Sequence, residues 1–451
     1  MGDLFENVAF SPADILLPKG VDMNQWAVVA CDQFTSEPEY WEDAKKIAGR
    51  SPSALNLILP EVYLGEKDVD DRISKINKTM TDYLEGDVFS TEEDSFVYVE
   101  RTQSDGSTRC GIVGKIDLDA YEFKPGNNAL VRATEGTVLS RIPPRVKVRE
   151  NAPIELPHVM LLIDDPEKTV IEPLADEKML MSKLYDFSLM KEGGRIKGFS
   201  VNSAQKKKIA AALESLKSQD TIDKKYGIAG AAPLLFAVGD GNHSLATAKQ
   251  CYENMKKVTP KEEWADLPSR YALVEVVNIH EEALKFEPIH RTLFDVDPDE
   301  VITEFLKFYP DSMDVKEVTA KDLIANPERY PHVLRSGKTF GEKSHYITYC
   351  FEDVTGTLVV PEPEKQLAVG TLQEFLDKYL EGREIKIDYI HGDDTCESLG
   401  RKPGNISFLL PAMGKEQLFK TVMADGVLPR KTFSMGHAVD KRYYIEARKI
   451  K

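Results

Sequence analysis

The chain has 451 residues, 42% of them hydrophobic, with 58 Lys and Arg against 75 Asp and Glu for a net charge of −17. That length exceeds one ordinary core and predicts about two to three domains. An acidic balance without any basic stretch argues against broad contact with nucleic acid or an anionic membrane surface, while leaving room for a local arginine cluster around a small anion.

The opening Met1-Gly-Asp-Leu-Phe-Glu6 has no basic n-region and no apolar h-region, and no run reaches the roughly 18 apolar residues of a membrane span; a cytoplasmic location is expected. A short strand at 26–30 leads into Cys31-Asp-Gln and then a helix start, with Thr35 or Ser36 as N-cap and Pro38 in the first turn. Residues 67–85 read as a helix with Val69, Ile73, Ile76, Met80 and Tyr83 on one stripe. Strands at 96–101 and 110–117 flank an Asp105-Gly106 hairpin turn. An arginine-rich segment, 130–145, precedes an apolar run at 159–163 and the turn Asp164-Asp-Pro166. A helix at 203–217 follows, then the apolar run 233–238, and a buried strand at 271–278. Past Asp295-Val-Asp-Pro-Asp299 the character changes, with helices at 299–308 and 370–381 and strands between them. The expected fold is α/β in the mixed α+β sense: a mixed-sheet main body, 1–295, a smaller α/β lobe, 296–395, and a C-terminal segment, 396–451, packing back on the body. The five cysteines are scattered and never spaced Cys-x-x-Cys, which argues against zinc and disulfides and for reduced thiols.

The richest stretch is the apolar run ending in Gly239-Asp240-Gly241-Asn242-His243-Ser244, followed by a helical pattern with Leu245, Ala248, Tyr252 and Met255 on one face. Strand, glycine turn and helix N-terminus place backbone N–H groups at the positive end of a helix dipole, where phosphate binds readily. The bland alternative is a tight turn with Asp240 or Asn242 as N-cap. Asp240, Asn242, His243, Ser244 and Thr247 supply more polarity than a plain turn needs. As a dinucleotide fingerprint the segment lacks its third glycine. Gly337-Lys338-Thr339 ends like a P-loop, but His332 stands where that loop needs glycine. Arg132, Glu135, Thr137, Arg141 and Arg145 form a second candidate, because guanidinium forks clamp oxyanions in pairs. Pro143-Pro144 argue against a continuous helix through Arg145. Basic loops occur around His290 and Arg291 and around Lys431, and Asp164-Asp165 and His391-Gly-Asp-Asp394 offer carboxylates.

In this order, Arg132, Glu135, Thr137, Arg141 and Arg145, then Asp240-Gly-Asn-His-Ser with Thr247-Ala248, then Pro288-Ile-His290-Arg291, then Pro429-Arg-Lys431-Thr-Phe433 resemble the family called domain of unknown function 1015 over nearly the whole chain. Asn242 and Ser244 depart from that family's Asp-Gly-His-His-Arg pattern, which removes a cation from the loop. A short-motif likeness extends to the loops that hold nucleotide phosphates in sulfiredoxin and ParB-type nucleotidases, a fold that also includes a free serine kinase. The resemblance implies phosphoryl transfer on a small hydroxy metabolite such as serine or phosphoserine. Mg²⁺ and ATP or ADP would be cofactors, and a small phosphorylated metabolite or nucleotide the partner. In that reading Gly239, Gly241, Asn242, His243, Ser244 and Thr247 hold phosphate. Arg132, Thr137, Arg141, Arg145, His290, Arg291 and Lys431 bind substrate, Asp240 serves as base or metal ligand, and Glu135 competes as base. The alternatives are a nucleotide- or metabolite-binding regulator using the same loop and, ranked below it, a nicotinamide-dependent oxidoreductase.

Overall fold

Strand Tyr271–Asn278 is buried along nearly its whole length, the mark of a central strand covered on both faces. The computed structural model describes residues 4–228, 230–326, 329–330 and 343–451, so Gly337-Lys338-Thr339 lies outside the described residues. Two units divide the chain, Met1–Leu284 with Gly436–Lys451, and Lys285–Met435. The protein is of mixed α+β class.

In the first unit the central strand belongs to a ten-stranded mixed sheet. Its order is Ser182–Ser188, Arg195–Ser200, Val97–Thr102, Thr108–Asp117, Tyr271–Asn278, Met160–Ile163, Phe236–Asp240, Val131–Ala133 and Tyr121–Glu122, with Phe10–Ser11 beside Thr108–Asp117. Two pairings set the neighbours of the glycine turn. Phe236–Asp240 runs antiparallel to Met160–Ile163, with Met160 opposite Asp240, so His158 and Val159 come level with Gly241. It runs parallel to Val131–Ala133, with Val238 beside Ala133, so Thr134 emerges at the same end. Helix Asn242–Lys256 buries Leu245, Ala248 and Tyr252, while Met255 is half-buried. Helix Val69–Glu85 buries Ile73, Ile76 and Met80, with Val69 and Tyr83 packed at the margin.

Two local readings are corrected. Helix Pro38–Ala48 has Glu37 at its N-cap position and no side-chain cap, rather than Thr35 or Ser36. A helix does run through Arg145, Ile142–Arg149, because Pro143 and Pro144 occupy its first turn, where a missing N–H costs no intrahelical bond.

The C-terminal segment returns to the first unit by ladder pairing and buried charge. Tyr443–Tyr444 pairs with Val28–Val29, and Arg448–Lys449 with Ile154–Glu155. Arg442, almost fully buried, places Nε 2.9 Å from Glu275 Oε2 and Nη2 2.8 Å from Glu446 Oε2, and donates from Nη1 to the Pro157 carbonyl at 3.0 Å. That one guanidinium therefore fixes both the segment carrying Lys441 and Tyr444 and the segment carrying His158.

The second unit is built on an antiparallel sheet ordered Met313–Lys316, Val354–Val360, His345–Phe351, Ile406–Leu409, Phe286–Phe294 and Lys386–His391, with Phe433–Met435 paired to the start of Phe286–Phe294. Its helices Pro298–Phe308 and Ala368–Leu380 meet through Phe305 and Phe375, ring centroids 5.0 Å apart. The unit bounds differ from those expected at 295 and 395. Strand Phe286–Phe294 takes its partners from 386–391 and 406–409, so a cut at 295 would strip it from its sheet. Residues 396–435 accordingly belong to this unit, and only Gly436–Lys451 rejoins the first. The charged stretch at 295–299 is helix-capping chemistry: the Asp297 side chain accepts from the N–H groups of Asp299 and Glu300.

Candidate functional site

Three segments converge at the carboxyl end of strand Phe236–Asp240, the edge of an open sheet where ligands characteristically bind. The strand gives way to Gly241 at φ +80°, a left-handed conformation that suits glycine. A Cβ there would lie 3.1 Å from the Val159 Cα, so the close approach of the two chains also demands glycine. Gly241 is the N-cap of the 15-residue helix Asn242–Lys256, and no side chain caps it.

Neither residue expected as a cap acts as one. Asp240 accepts the Gly241 N–H on Oδ1 at 2.9 Å, and its Oδ2 lies 3.2 Å from Lys441 Nζ. Asn242 turns its amide to Thr134, accepting that residue's N–H at 3.2 Å; the Thr134 hydroxyl in turn donates to the Val238 carbonyl at 2.6 Å. His243 Nε2 accepts the Val138 N–H at 3.3 Å. The arginine-rich segment and the glycine turn thus meet, but through Thr134 and Val138 rather than through the arginines. Thr247 spends its hydroxyl on the His243 carbonyl at 2.7 Å within the helix. Gly239 and Ser244 are half-buried beside the turn.

The arginines point elsewhere. Arg132 is buried, and its guanidinium donates to the carbonyls of Ala129, Ala232 and Pro233, clamping two loops. Arg145 pairs with Glu61, its Nε 2.8 Å from Oε1, and donates to the Arg141 carbonyl. Arg141 is exposed, Glu135 and Thr137 are half-buried, and the Thr137 Oγ1 is buried with no hydrogen-bond partner among the described residues. The cation beside the glycine turn is Lys441, from the returning C-terminal segment.

Opposite it stands a polar group that the sequence reading missed. Asp32, after strand Val28–Val29, lies 4.0 Å from His158 Nε2, and His158 Nδ1 is 2.7 Å from the Tyr444 hydroxyl. His158 Cδ2 would come 3.5 Å from a Cβ on Gly241, which ties this group to the turn. Burial opposes ionisation of Asp32, yet His158, the Gln33 amide and Lys441 outweigh it and hold its carboxyl below the ordinary value. Burial, reinforced by Asp32, pushes the neighbouring Cys31 thiol up to about 12, so it is protonated at neutral pH and no nucleophile. Asp32 carries the same signal that marked Asp240, a polar residue at the end of a short apolar run, whereas His158 stands just before one. Nothing in the sequence indicates that these ends of the three runs come together.

Asp240 is tied to protein donors. Both its carboxylate oxygens are engaged, one by an N–H and one by an ammonium. Among the described residues, no three His, Cys, Asp or Glu side chains gather into a set that could hold a metal ion. Asp164, for which metal was the less favoured reading, is bound to Lys225, Tyr226 and His280.

His290, Arg291 and Lys431 belong to the second unit and form their own network. Buried His290 accepts the Leu410 N–H on Nδ1 and faces Asp393 through Nε2 at 2.8 Å. Arg291, fully buried, donates to the carbonyls of Ile289, Arg430 and Lys431, which holds the 429–432 loop against strand Phe286–Phe294.

No helix among the described residues is long and apolar enough to cross a membrane. No curated protein matches the chain in sequence. Among solved structures, a conserved hypothetical protein from Pyrococcus furiosus is 12% identical, with a TM-score of 0.35, over 75% of this chain and 94% of its own. A free serine kinase in complex with AMP is 11% identical, with a TM-score of 0.37, over 74% and 91%. SbnI with a C-terminal truncation, from Staphylococcus aureus, is 9% identical, with a TM-score of 0.34, over 72% and 82%. The profile of the family described as protein of unknown function (DUF1015) matches residues 16–379, and the chain belongs to that family.

Proposed function

We propose that the first unit is a small-molecule phosphotransfer enzyme that holds phosphate at the N-terminus of helix Asn242–Lys256. The observation that carries the reading is the uncapped helix start at Gly241, with Lys441 3.2 Å from Asp240 on one side and ionised Asp32 on the other. A 15-residue helix aims its first N–H groups and its dipole at this point, and Lys441 supplies the cation that the loop itself lacks. Phosphoryl transfer asks mainly for positioning and charge stabilisation, which these groups provide.

The reaction is written with a nucleoside triphosphate as donor. A substrate hydroxyl oxygen bonds to the γ-phosphorus, the bond from that phosphorus to the bridging oxygen of the leaving nucleoside diphosphate breaks, and the hydroxyl proton passes to the Asp32 carboxylate. Asp32 is partly open to solvent and can release that proton afterwards. Because proton loss lags bond breaking in a loose transition state, an already ionised carboxylate suffices. Asp240 holds the turn and Lys441 in place, and Glu135 is the competing base.

The test is nucleotide turnover with ATP against a panel of small hydroxy metabolites that includes serine, alongside thermal shift with ATP, ADP and phosphoserine. Lys441→Met is expected to abolish both binding and turnover, and Asp32→Asn turnover alone. Asp240→Asn retains the acceptor for the Gly241 N–H and weakens binding only a few-fold. Binding without turnover for every substrate would favour the regulator; no binding of any phosphate compound would end the reading.

A further inference from the structure

The Tyr444 hydroxyl accepts the backbone N–H of Cys31 at 3.2 Å and sits 2.7 Å from His158 Nδ1. A phenol oxygen that already takes one donor has its own proton to give. Burial, with Cys31 beside it, keeps that proton in place far above neutral pH. The His158 ring stands edge-on to the Tyr444 ring, centroids 5.6 Å apart at 89°. With the phenol proton donated to Nδ1, a neutral imidazole carries its own proton on Nε2, the nitrogen 4.0 Å from Asp32, within charge–dipole range rather than hydrogen-bond reach.

Both residues sit on tightly held backbone. Tyr444 lies in the two-residue ladder with Val28–Val29, and Ala30 donates to the Arg442 carbonyl at 2.9 Å. His158 follows Pro157, whose carbonyl is bound by the buried Arg442 guanidinium.

We propose that Tyr444 and His158 are positioning residues: Tyr444 locks His158 in the Nε2–H tautomer, and His158 presents that N–H to Asp32, orienting the carboxylate toward the substrate hydroxyl. The catalytic consequence rests on the phosphotransfer reading above, whereas the tautomer rests on hydrogen bonds alone.

The experiment has two arms on the full chain. Nitrogen-15 NMR of the imidazole in the unliganded protein reads the tautomer directly. A pyrrole-type Nε2 and a pyridine-type Nδ1 are expected for His158, with Tyr444→Phe shifting the ring toward the other tautomer. A protonated Nδ1 in the wild-type protein would overturn the proposal whether or not any activity is found. In the kinetic arm, Tyr444→Phe removes one neutral hydrogen bond and lowers kcat about tenfold with KM within about twofold. His158→Gln, which restores an N–H near the Nε2 position, recovers activity that His158→Ala loses. Turnover with equal kcat in wild type and Tyr444→Phe would refute the positioning role alone. Absence of turnover in the wild type would refute the phosphotransfer reading and leave the tautomer to the NMR arm.

Discussion

Replacing Gly241 by alanine separates backbone strain, crowding and ligand binding in one comparison. At φ +80° an alanine pays a left-handed strain of about 1–2 kcal/mol. The added Cβ would also meet the Val159 Cα and Cγ2 at 3.1 Å. Val159 has little freedom to retreat, because its carbonyl accepts the Glu275 N–H within the sheet at 3.0 Å. Overpacking of this kind adds about 1–3 kcal/mol. Gly227 is the control: its φ is +68°, and nothing among the described residues lies within 4 Å of a Cβ there, so Gly227→Ala carries the strain without the crowding. The expected losses are about 2–5 kcal/mol for Gly241→Ala and about 1–2 kcal/mol for Gly227→Ala. Urea unfolding followed by tryptophan fluorescence reads the relevant unit, since Trp26, Trp41 and Trp264 all lie within Met1–Leu284. A phosphate ligand at a hundred times its dissociation constant adds about 2.7 kcal/mol to the wild type and to Gly227→Ala. With ATP or ADP as probe, Gly241→Ala should lose that gain, because the turn that aims the N–H groups is displaced. Equal destabilisation in the two variants would refute the packing argument. Undiminished ligand stabilisation in Gly241→Ala would refute the phosphate cradle.

Two further outcomes test the frame that carries the site. Arg442→Met leaves Glu275 and Glu446 buried without their guanidinium, a loss of about 3–5 kcal/mol by tryptophan-detected denaturation; a change below about 0.5 kcal/mol, the range of ordinary surface substitutions, would show that the network holds nothing. Burial opposes ionisation of Glu155, but Arg448 and Arg149 outweigh it and hold its carboxyl below the ordinary value. Its stabilisation is therefore complete above the unfolded carboxyl value of about 4.3 and is lost as pH falls through the lower folded one. Arg448→Met should flatten this acid limb of the unfolding midpoint, and an unchanged limb would contradict the assignment.

Much of the local structure was legible because it depends on near neighbours. The stripe at Ile73, Ile76 and Met80, the buried strand at 271–278 and the Asp105-Gly106 hairpin arise from periodicity and turn chemistry that neighbouring residues satisfy among themselves. The strand–glycine–helix unit at 236–256 was legible for the same reason. The readings that went astray were also local. Pro143-Pro144 reads as a break but opens a helix, and the charged transition at Asp295 to Asp299, read as a boundary, caps one.

What the sequence by itself determined is the class of fold and the place of the glycine turn between strand and helix, both properties of residues close in the chain. Only the tertiary structure decided which charges serve that turn. Strand pairing carries Val159 to Gly241 and Thr134 to Asn242, while the buried Arg442 brings Lys441 from the far end of the chain. Arg132 and Arg145, which looked made for the role, spend their donors on backbone carbonyls and on Glu61. A guanidinium reads the same in a sequence whether it meets a ligand or a carbonyl. Its partner is set by ladder register and by the need to satisfy every buried donor, and both are settled by contacts between distant residues.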